Sequence, residues 1–405
     1  MIRRQSGPCS ERLARATVGR ASRPPEDVPR RLSHGPPMAI GIPVMTQQPI
    51  NLGAGRLPLI DALRALASAI IVWHHMALYW PSSAQVIPFV SETLIWLKLN
   101  GRATQLFFVI GGFVMAQNLS RRQWNGQVFG RYVVHRYFRL GLPYVGTIVL
   151  ALGACTLGRG IISDYVAGAP PSLPQVLAHL LFLQKILGYE SFSAGMWFVC
   201  INFQMSLVFA ALLWVRDRQA SRSLALPLVL GWVLAITALF YFNLDERWDP
   251  WAMYFFAHFF TGVMAYYGLQ SPALQRLFWL YVGATVLALA YRCWLDHGQW
   301  TLATLRVVVS LVMGLVLFLS VKIGLAQRWP RNRVVAYLGR TSYSLFLVHF
   351  PVLVLVLTLW TWLGWTSPLG TVTGLCTTYL ASLLASDAFY RHIETPAARL
   401  SREFS

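Results

Sequence analysis

Charged residues are scarce in this chain, and their scarcity excludes an ordinary soluble domain. Asp, Glu, Lys and Arg make up 12% of the 405 residues, whereas hydrophobic residues make up 56%. Soluble globular domains average about 25% charged residues. Apolar runs of bilayer length recur along the chain with short polar breaks between them. The composition therefore predicts an all-α, polytopic membrane protein.

Paired cysteines and the motifs of soluble enzymes are also missing. The five cysteines, at 9, 155, 200, 293 and 376, form no CxxC pair, and all but Cys9 lie within or beside an apolar run. Neither a disulfide scaffold nor a metal site is therefore supported. The sequence contains no P-loop, GxSxG elbow or EF-hand loop. Any chemistry must come from polar residues within the apolar segments.

The apolar runs predict about ten transmembrane helices. They lie near 59–80, 100–119, 140–157, 195–214, 224–243, 250–269, 276–294, 301–320, 341–362 and 369–390. These spans belong to one predicted membrane domain at 57–400, followed by a short cytoplasmic tail at 401–405. Residues 1–56 are rich in Arg, Pro and Ser and have no run of spanning length, which predicts a disordered basic extension. Met38 and Met45 leave open a start downstream of residue 1.

Acidic residues are few. The chain has 15 Asp and Glu and 34 Lys and Arg, which gives a net charge of +19. With the N-terminus inside, the inward loops hold more cations than the outward loops. The inward cations are Arg121, Arg122, Arg131, Arg136, Arg139, Arg216, Arg218, Arg222, Arg276, Lys322, Arg328, Arg331, Arg333, Arg340, Arg391, Arg399 and Arg402. This positive-inside bias predicts cytoplasmic termini and explains the charge without nucleic acid as a partner.

The first predicted span places two polar residues on one face. Arg64 and His75 are eleven residues apart, which is three helical turns and about 16 Å along the axis. His75 falls near the bilayer centre, where a titratable group is costly and indicates function, although such a group also serves helix packing. His74 lies about 100° away and is expected to miss the pocket that His75 faces. Asp61, one turn before Arg64, can pair with it.

Further polar or small residues lie in other spans. Arg136 and Arg139 are one turn apart at the predicted inner interface, a spacing suited to phosphates and equally typical of topology signals. Gly111 and Gly112 permit a close approach by a helix or a ligand, with helix packing favoured.

Polar residues also occur in the fourth, ninth and last predicted spans. The amides of Asn202 and Gln204 are expected to join helices or to line a polar cavity. Ser342 and His349 are two turns apart and share a face, with Tyr343 beside Ser342. Glu394 follows the last span among inward cations, where it can balance Arg391.

Taken in order, these segments resemble acyltransferase family 3, a family of integral-membrane enzymes that O-acylate sugars, cell-surface polysaccharides and some antibiotics. The resemblance covers about residues 57–400. The matching residues are Arg64, His75, Phe107, Phe108, Gly112, Phe113, Arg136, Arg139, Pro143, Trp197, Ser342, Tyr343, His349, Glu394 and Pro396.

The resemblance implies transfer of an acyl group from cytoplasmic acyl-CoA, in many members acetyl-CoA, to a hydroxyl of a carbohydrate or glycosylated acceptor. It also implies a location in the bacterial inner membrane. His75 matches the essential histidine of the family and Arg64 its partner arginine. Arg136 and Arg139 match the cytoplasmic Arg-x-x-Arg pair.

The chain departs from the family pattern at two positions. Many members have glutamate five residues after the tryptophan that matches Trp197, whereas this chain has Asn202 there. Gly111 stands where many members have serine. A carboxylate role in the fourth span is thus excluded, and Asn202 or Gln204 is expected to supply a hydrogen bond instead. We interpret the departures as those of a subfamily with a different acceptor.

In the mechanism that we expect, neutral His75 is the general base for the acceptor hydroxyl. Tyr343, Ser342 or His349 stabilises the oxyanion. Arg136 and Arg139 hold the CoA phosphates, while Arg64 orients the thioester end.

Three alternatives remain open at the level of sequence. A covalent acyl-His75 relay would replace direct transfer. A transporter of a sugar or lipid-linked substrate could use the same His and Arg near the midplane. A non-catalytic relative would only bind its ligand. The lack of a readable inverted repeat and the inward position of the arginine pair favour the enzyme.

Overall fold

A computed structural model describes residues 57–81, 86, 88–100 and 103–404. The regular secondary structure of these residues is helical, with no strand among them. The extension predicted at 1–56 lies outside them. Helices α1–α8 comprise Pro58–Tyr79, Pro88–Asn100, Thr104–Leu119, Gly126–Gly158, Asp164–Ala167, Leu173–Leu180, Met196–Arg218 and Ala225–Phe240. Helices α9–α15 comprise Ala252–Tyr267, Pro272–Leu295, Leu302–Lys322, Leu325–Arg328, Arg333–Trp362, Pro368–Phe389 and Thr395–Ser401. The all-α prediction is confirmed.

Eight helical segments in the described part of the chain are long and apolar enough to cross a bilayer. They are Pro58–Tyr79, Gly126–Gly158, Met196–Arg218, Ala225–Leu244, Pro272–Leu295, Leu302–Lys322, Arg333–Trp362 and Pro368–Phe404. The two other predicted spans correspond to α3 and α9, with 16 residues each. A helix of 16 residues is about 24 Å long, shorter than a hydrocarbon core of about 30 Å. A multi-pass membrane protein is supported, while the count of ten stays a prediction.

Polar caps set the starts of the two longest helices. The Asn125 side chain accepts a hydrogen bond from the backbone of Val128 at the start of α4. Asn332 accepts hydrogen bonds from the backbone of Val334 and Val335 at the start of α13. Each cap satisfies backbone N–H groups that the first turn leaves unpaired. Because of these early starts, the predicted spans 140–157 and 341–362 are only the later parts of α4 and α13.

Glycines allow two pairs of helices to touch through their backbones. A side chain at Gly112 of α3 would overlap the carbonyl of Phe259 in α9, and one at Gly262 would overlap the carbonyl of Val109. In the same way, Gly339 of α13 lies against the backbone of Asp61 in α1. Small residues are the usual means of such close packing within membranes. The second crossing brings α13 against α1.

Five helices surround the centre of the molecule. Helix α1 packs against α3 and α13, while α4 packs against α7 and α13. Helix α9 lies behind α3 and is buried at every position except Met253. It forms the middle of the largest apolar cluster, which is rich in aromatic side chains. Helices α1, α3, α4, α7 and α13 thus enclose the space in which the polar residues of the apolar segments meet.

Replacing Gly112 by alanine should weaken the crossing of α3 and α9, because the added Cβ overlaps a backbone carbonyl that cannot move without shifting α9. Overpacking of this kind costs about 1–3 kcal/mol. The purified Gly112→Ala protein should therefore melt several degrees lower in a thermal-shift assay. Gly111→Ala is the matched control, since no atom of the described residues that could clash lies within 4 Å of its Cβ position. Equal melting temperatures for the two variants would show that the crossing does not depend on Gly112.

Candidate active site

Two cavities lie along the central helices. The arginine cavity, of about 370 Å³, is lined by side chains that include Arg64, Arg136, Arg139, Arg340, Asn202 and Glu394. The histidine cavity, of about 440 Å³, is lined by side chains that include His74, His75, Gln105, Lys185, Trp197, Glu246, Asp249, Tyr254 and Arg306.

The two cavities lie toward opposite ends of the central helices. The arginine cavity is bordered by Arg64 near the start of α1 and by Leu119 at the end of α3. The histidine cavity is bordered by Leu78 near the end of α1 and by Thr104 at the start of α3. The arginine cavity therefore faces the loops that are rich in cations.

His75 and His349 form a hydrogen-bonded pair between α1 and α13. Nδ1 of His75 lies 2.8 Å from Nε2 of His349, and the rings are stacked with their planes 8° apart. Nδ1 of His349 lies 3.2 Å from the carbonyl oxygen of Leu345. A carbonyl only accepts, so Nδ1 of His349 donates to it, and Nε2 of the neutral ring accepts from Nδ1 of His75. Nε2 of His75 then keeps its lone pair.

The expectation that His74 misses the pocket of His75 is wrong. Both side chains line the histidine cavity, with their ring centroids 5.2 Å apart. The cavity extends over more of the helix surface than the 100° between neighbouring residues. His74 also has a structural contact, because its Nδ1 donates a hydrogen bond to the carbonyl oxygen of Leu97 at 2.8 Å. It fastens α1 to α2.

A buried carboxylate lies beside the arginine pair. Glu394 is 4% exposed and accepts hydrogen bonds from Nη2 of Arg139 at 3.2 Å and from Oγ of Ser344 at 2.7 Å. The expectation that it balances Arg391 is wrong, because Arg391 pairs with Asp387 at 2.8 Å. A π-helical turn, Tyr390–Glu394, follows α14 and changes the direction in which Glu394 projects.

The arginine pair retains unused hydrogen-bonding capacity. Nη2 of Arg136 donates to the side-chain oxygen of Asn202 at 3.1 Å. Nε of Arg136 and Nη1 of Arg139 are buried and have no partner among the described residues. Buried N–H groups are normally paired, so these two favour a ligand that supplies acceptors. Since Arg64 and Arg340 also line the cavity and Glu394 is its one carboxylate among the lining residues, the ligand is expected to be an anion.

Arg64 and His75 do not line the same cavity, although they share a helix face. Arg64 lines the arginine cavity with Ser342 and Tyr343. Ser342 donates to the carbonyl of Gly339 at 3.0 Å, and Tyr343 donates to that of Leu140 at 3.2 Å. Of the three expected oxyanion donors, only His349 contacts His75. Asp61 is buried where α1 meets α13.

The phenylalanines and glycines of α3 fall into two groups: some line the arginine cavity, and the others pack against neighbouring helices. Phe107 lines the arginine cavity, as does Gly111. Phe108 stacks on Phe255, and Phe113 meets Tyr266 edge to face. These two rings, like Gly112, hold α3 in place. The sequence favoured helix packing for both Gly111 and Gly112. Gly112 does pack against a helix, whereas Gly111 lines the arginine cavity.

The fourth predicted span, now α7, presents its polar residues to different places. Trp197 lines the histidine cavity, and Asn202 lines the arginine cavity. Gln204 donates to the carbonyl of Pro250 at 3.2 Å and accepts from the backbone of Ala252 at 2.8 Å. Gln204 therefore holds the start of α9, which is the helix-joining role that the sequence offered as one of two.

Several residues of the histidine cavity were not identified from the sequence. The cavity also has lining residues from four separate stretches of the chain, near 105, 185, 246–254 and 306: Gln105, Lys185, Glu246, Asp249, Tyr254 and Arg306. Burial raises the pKa of the Asp249 carboxyl above its usual range, and the charge of Lys185 opposes that shift. The four charged residues have one signal in the sequence, charge beside apolar runs, which gives no indication that they meet, and Gln105 and Tyr254 lack even that signal.

A family model described as an acyltransferase domain matches residues 57–390. No curated protein and no solved structure gives a match. In the part of the chain that the structure describes, no group of His, Cys, Asp and Glu side chains is arranged to hold a metal ion.

Removing the Glu394 carboxylate should destabilise the protein, because it leaves Arg139 without its ion-pair partner and Ser344 without its acceptor. The Arg139 side chain is 32% exposed, so the cost should be that of leaving two hydrogen-bonding groups unpaired, about 1–3 kcal/mol. Glu394→Ala should thus lower the apparent melting temperature by several degrees. Asp387→Ala is the control, since it breaks the more exposed pair with Arg391 and should cost at most about 1 kcal/mol. A Glu394→Ala protein as stable as this control would contradict the buried pair.

Proposed function

The chain belongs to the acyltransferase family whose domain model matches residues 57–390, and from this membership we propose that it is a membrane O-acyltransferase. It transfers an acyl group, acetyl in the simplest case, from acyl-CoA to a hydroxyl of a carbohydrate or glycosylated acceptor. We place it in the bacterial inner membrane, with both termini in the cytoplasm.

The arginine cavity is the proposed site for the phosphates of CoA. Two observations support this assignment. Buried N–H groups of Arg136 and Arg139 have no partner in the part of the chain that the structure describes, and arginine outnumbers carboxylate among the lining residues. Guanidinium groups bind phosphate through paired, charge-assisted hydrogen bonds. The cavity also faces the cation-rich loops, which the positive-inside rule assigns to the cytoplasm, where acyl-CoA is found.

The histidine cavity is the proposed acceptor site. Trp197 and Tyr254 offer flat apolar surfaces, and Glu246 and Asp249 offer oxygen atoms that accept hydrogen bonds from hydroxyl groups. A site with aromatic walls and a few placed polar groups is typical of small-molecule binding. The combination suits a carbohydrate, whose ring faces are apolar and whose edges are hydroxylated.

The His75–His349 hydrogen bond is the observation on which the mechanism depends. With Nδ1 of His75 donating to His349, Nε2 accepts the proton of the acceptor hydroxyl. The hydroxyl oxygen attacks the thioester carbonyl, the new C–O bond forms, and the C–S bond breaks. The CoA thiolate then takes the proton from Nε2. His349 fixes the tautomer and orientation of His75 and accepts from the imidazolium that forms, as the third member of a catalytic triad does.

Arg64 has a separate role in this proposal. It lies on the same helix as His75 and lines the cavity that contains Arg136 and Arg139. From there its guanidinium can orient the pantetheine arm or the thioester end of the donor. Direct transfer needs no covalent intermediate, whereas the acyl-His75 relay would use the same Nε2 as a nucleophile.

Replacing His75 by alanine should lower the rate of acyl transfer at least about 100-fold, because general bases contribute about 10²–10⁴-fold. The measurement is transfer of labelled acetate from acetyl-CoA to a glycoside or glycan by the purified protein, with CoA affinity measured in parallel. Affinity for CoA should stay unchanged, since His75 lines the other cavity.

The matched control is His392→Ala, which removes an exposed imidazole outside both cavities. Full transfer by His75→Ala would refute the assignment of the base. A labelled acyl-enzyme in a quenched reaction that contains donor alone would favour the relay. A wild-type protein that moves a sugar across vesicles but consumes no acyl-CoA would favour the transporter.

Replacing Arg136 by alanine should raise KM for acyl-CoA about tenfold or more with little change in kcat, since a hydrogen bond to a charged group contributes about 1.5–3 kcal/mol. The effect should shrink for donors that lack part of the nucleotide phosphates. Arg131→Ala is the control, because Arg131 is exposed on the same helix and does not line the arginine cavity. An unchanged KM in Arg136→Ala would overturn the donor-site assignment.

A further inference from the structure

Three phenylalanine rings lie between the two cavities, and we call them the phenylalanine layer. The ring centroids of Phe107, Phe198 and Phe346 are 5.9 Å apart for 107 and 198, 6.2 Å for 107 and 346, and 5.2 Å for 198 and 346. All three rings line the arginine cavity, and Phe346 also lines the histidine cavity. Among the described lining residues, Phe346 alone borders both cavities.

The boundary between the cavities passes the phenylalanine layer on two further helices. On α3, Gln105 lines the histidine cavity, whereas Phe107 lines the arginine cavity. On α7 the two cavities lie on different faces of the helix, one lined by Trp197 and Ile201 and the other by Phe198 and Asn202. Because the three rings contact one another, the layer lies along this boundary as an apolar partition.

The proposed function requires the donor to cross this partition. Its phosphate anchors, Arg136 and Arg139, lie on one side, and the base, His75, lies on the other. Resting on that proposed function, we propose that the acyl-thioester arm of the donor passes through the phenylalanine layer by displacing the ring of Phe346. The layer thereby selects acyl groups by their cross-section.

The chemistry of the layer fits a passage for a neutral chain. A thioester and its short alkyl group bear no net charge, so they can enter an apolar opening that a nucleotide phosphate cannot enter without losing its hydration. A hydroxylated acceptor is excluded for the same reason. The layer thus keeps the two substrates in separate cavities until the arm has passed.

Phe346 is the ring that has to move, because it alone among the described lining residues borders both cavities. Its ring contacts Phe107, Phe198 and His349, with the centroid of His349 at 6.0 Å. It also packs against Gly195, where an added Cβ would lie 2.9 Å from the edge of the ring. Displacement of the ring would also change the surroundings of His349, next to the base.

The first experiment compares transfer from acetyl-CoA with transfer from the branched donor isobutyryl-CoA. Phe346→Ala should raise the isobutyryl-to-acetyl rate ratio at least about tenfold, and the milder Phe346→Leu should raise it less. Phe346→Trp should reduce transfer from both donors while CoA affinity stays unchanged. Phe350→Ala is the matched control, because Phe350 is a buried ring on the same helix that lines neither cavity. A ratio unchanged in both Phe346→Ala and Phe346→Leu would overturn the proposal.

The second experiment tests the barrier without enzyme activity. A cysteine at Gly111 projects into open space in the arginine cavity. In vesicles, a membrane-impermeant thiol reagent is applied to the face that bears residues 245–251, and labelling of residue 111 is followed by peptide mass spectrometry. Adding Phe346→Ala to Gly111→Cys should accelerate labelling at least about tenfold, whereas Phe350→Ala should not.

The two experiments separate failure of this proposal from failure of the proposed function. Unchanged labelling in the Phe346→Ala background would show that the layer is not the partition, whatever the protein does with acyl-CoA. Accelerated labelling together with no use of any acyl-CoA would leave the partition in place and reject acyl passage along with the proposed function.

Discussion

The hydrogen bond between His75 and His349 joins the two helices around which the rest of the molecule is arranged. It requires α1 and α13 to lie close together, and Gly339 permits this by placing its backbone against that of Asp61. The carbonyl of Leu345 fixes the proton on Nδ1 of His349, and His349 in turn fixes the proton on Nδ1 of His75. One carbonyl thus determines which nitrogen of His75 is basic.

The arginine cavity shows how a membrane protein can concentrate positive charge without losing its fold. Glu394 neutralises part of the charge, and Ser344 satisfies its second oxygen. Asn202 accepts from Arg136 without adding a negative charge. A carboxylate at position 202 would offset that guanidinium, so the amide leaves the cavity more attractive to an anion. Nε of Arg136 and Nη1 of Arg139, which find no partner within the described part of the chain, are consistent with the same requirement.

The positions of the two residues that depart from the family pattern change how we interpret them. Gly111 and Asn202 both line the arginine cavity, not the cavity that contains His75. If the donor binds there, these substitutions alter the space around CoA, and they give no support to the earlier interpretation of a different acceptor. The residues that would distinguish acceptors are instead those of the histidine cavity, such as Lys185, Glu246 and Asp249.

The sequence by itself determined the membrane class, the helical fold and the family, because scarce charge, apolar runs and ordered motifs are properties of the chain read in one dimension. It also singled out His75 and His349, and helix geometry placed Arg64 on the face of His75. Only the tertiary structure decided that His349 pairs with His75, that Glu394 pairs with Arg139, and that Arg64 borders a different cavity. The physical reason is that helical periodicity fixes the direction of a side chain about its own axis, whereas contacts depend on how helices far apart in sequence cross, and here backbone contact at glycines sets those crossings.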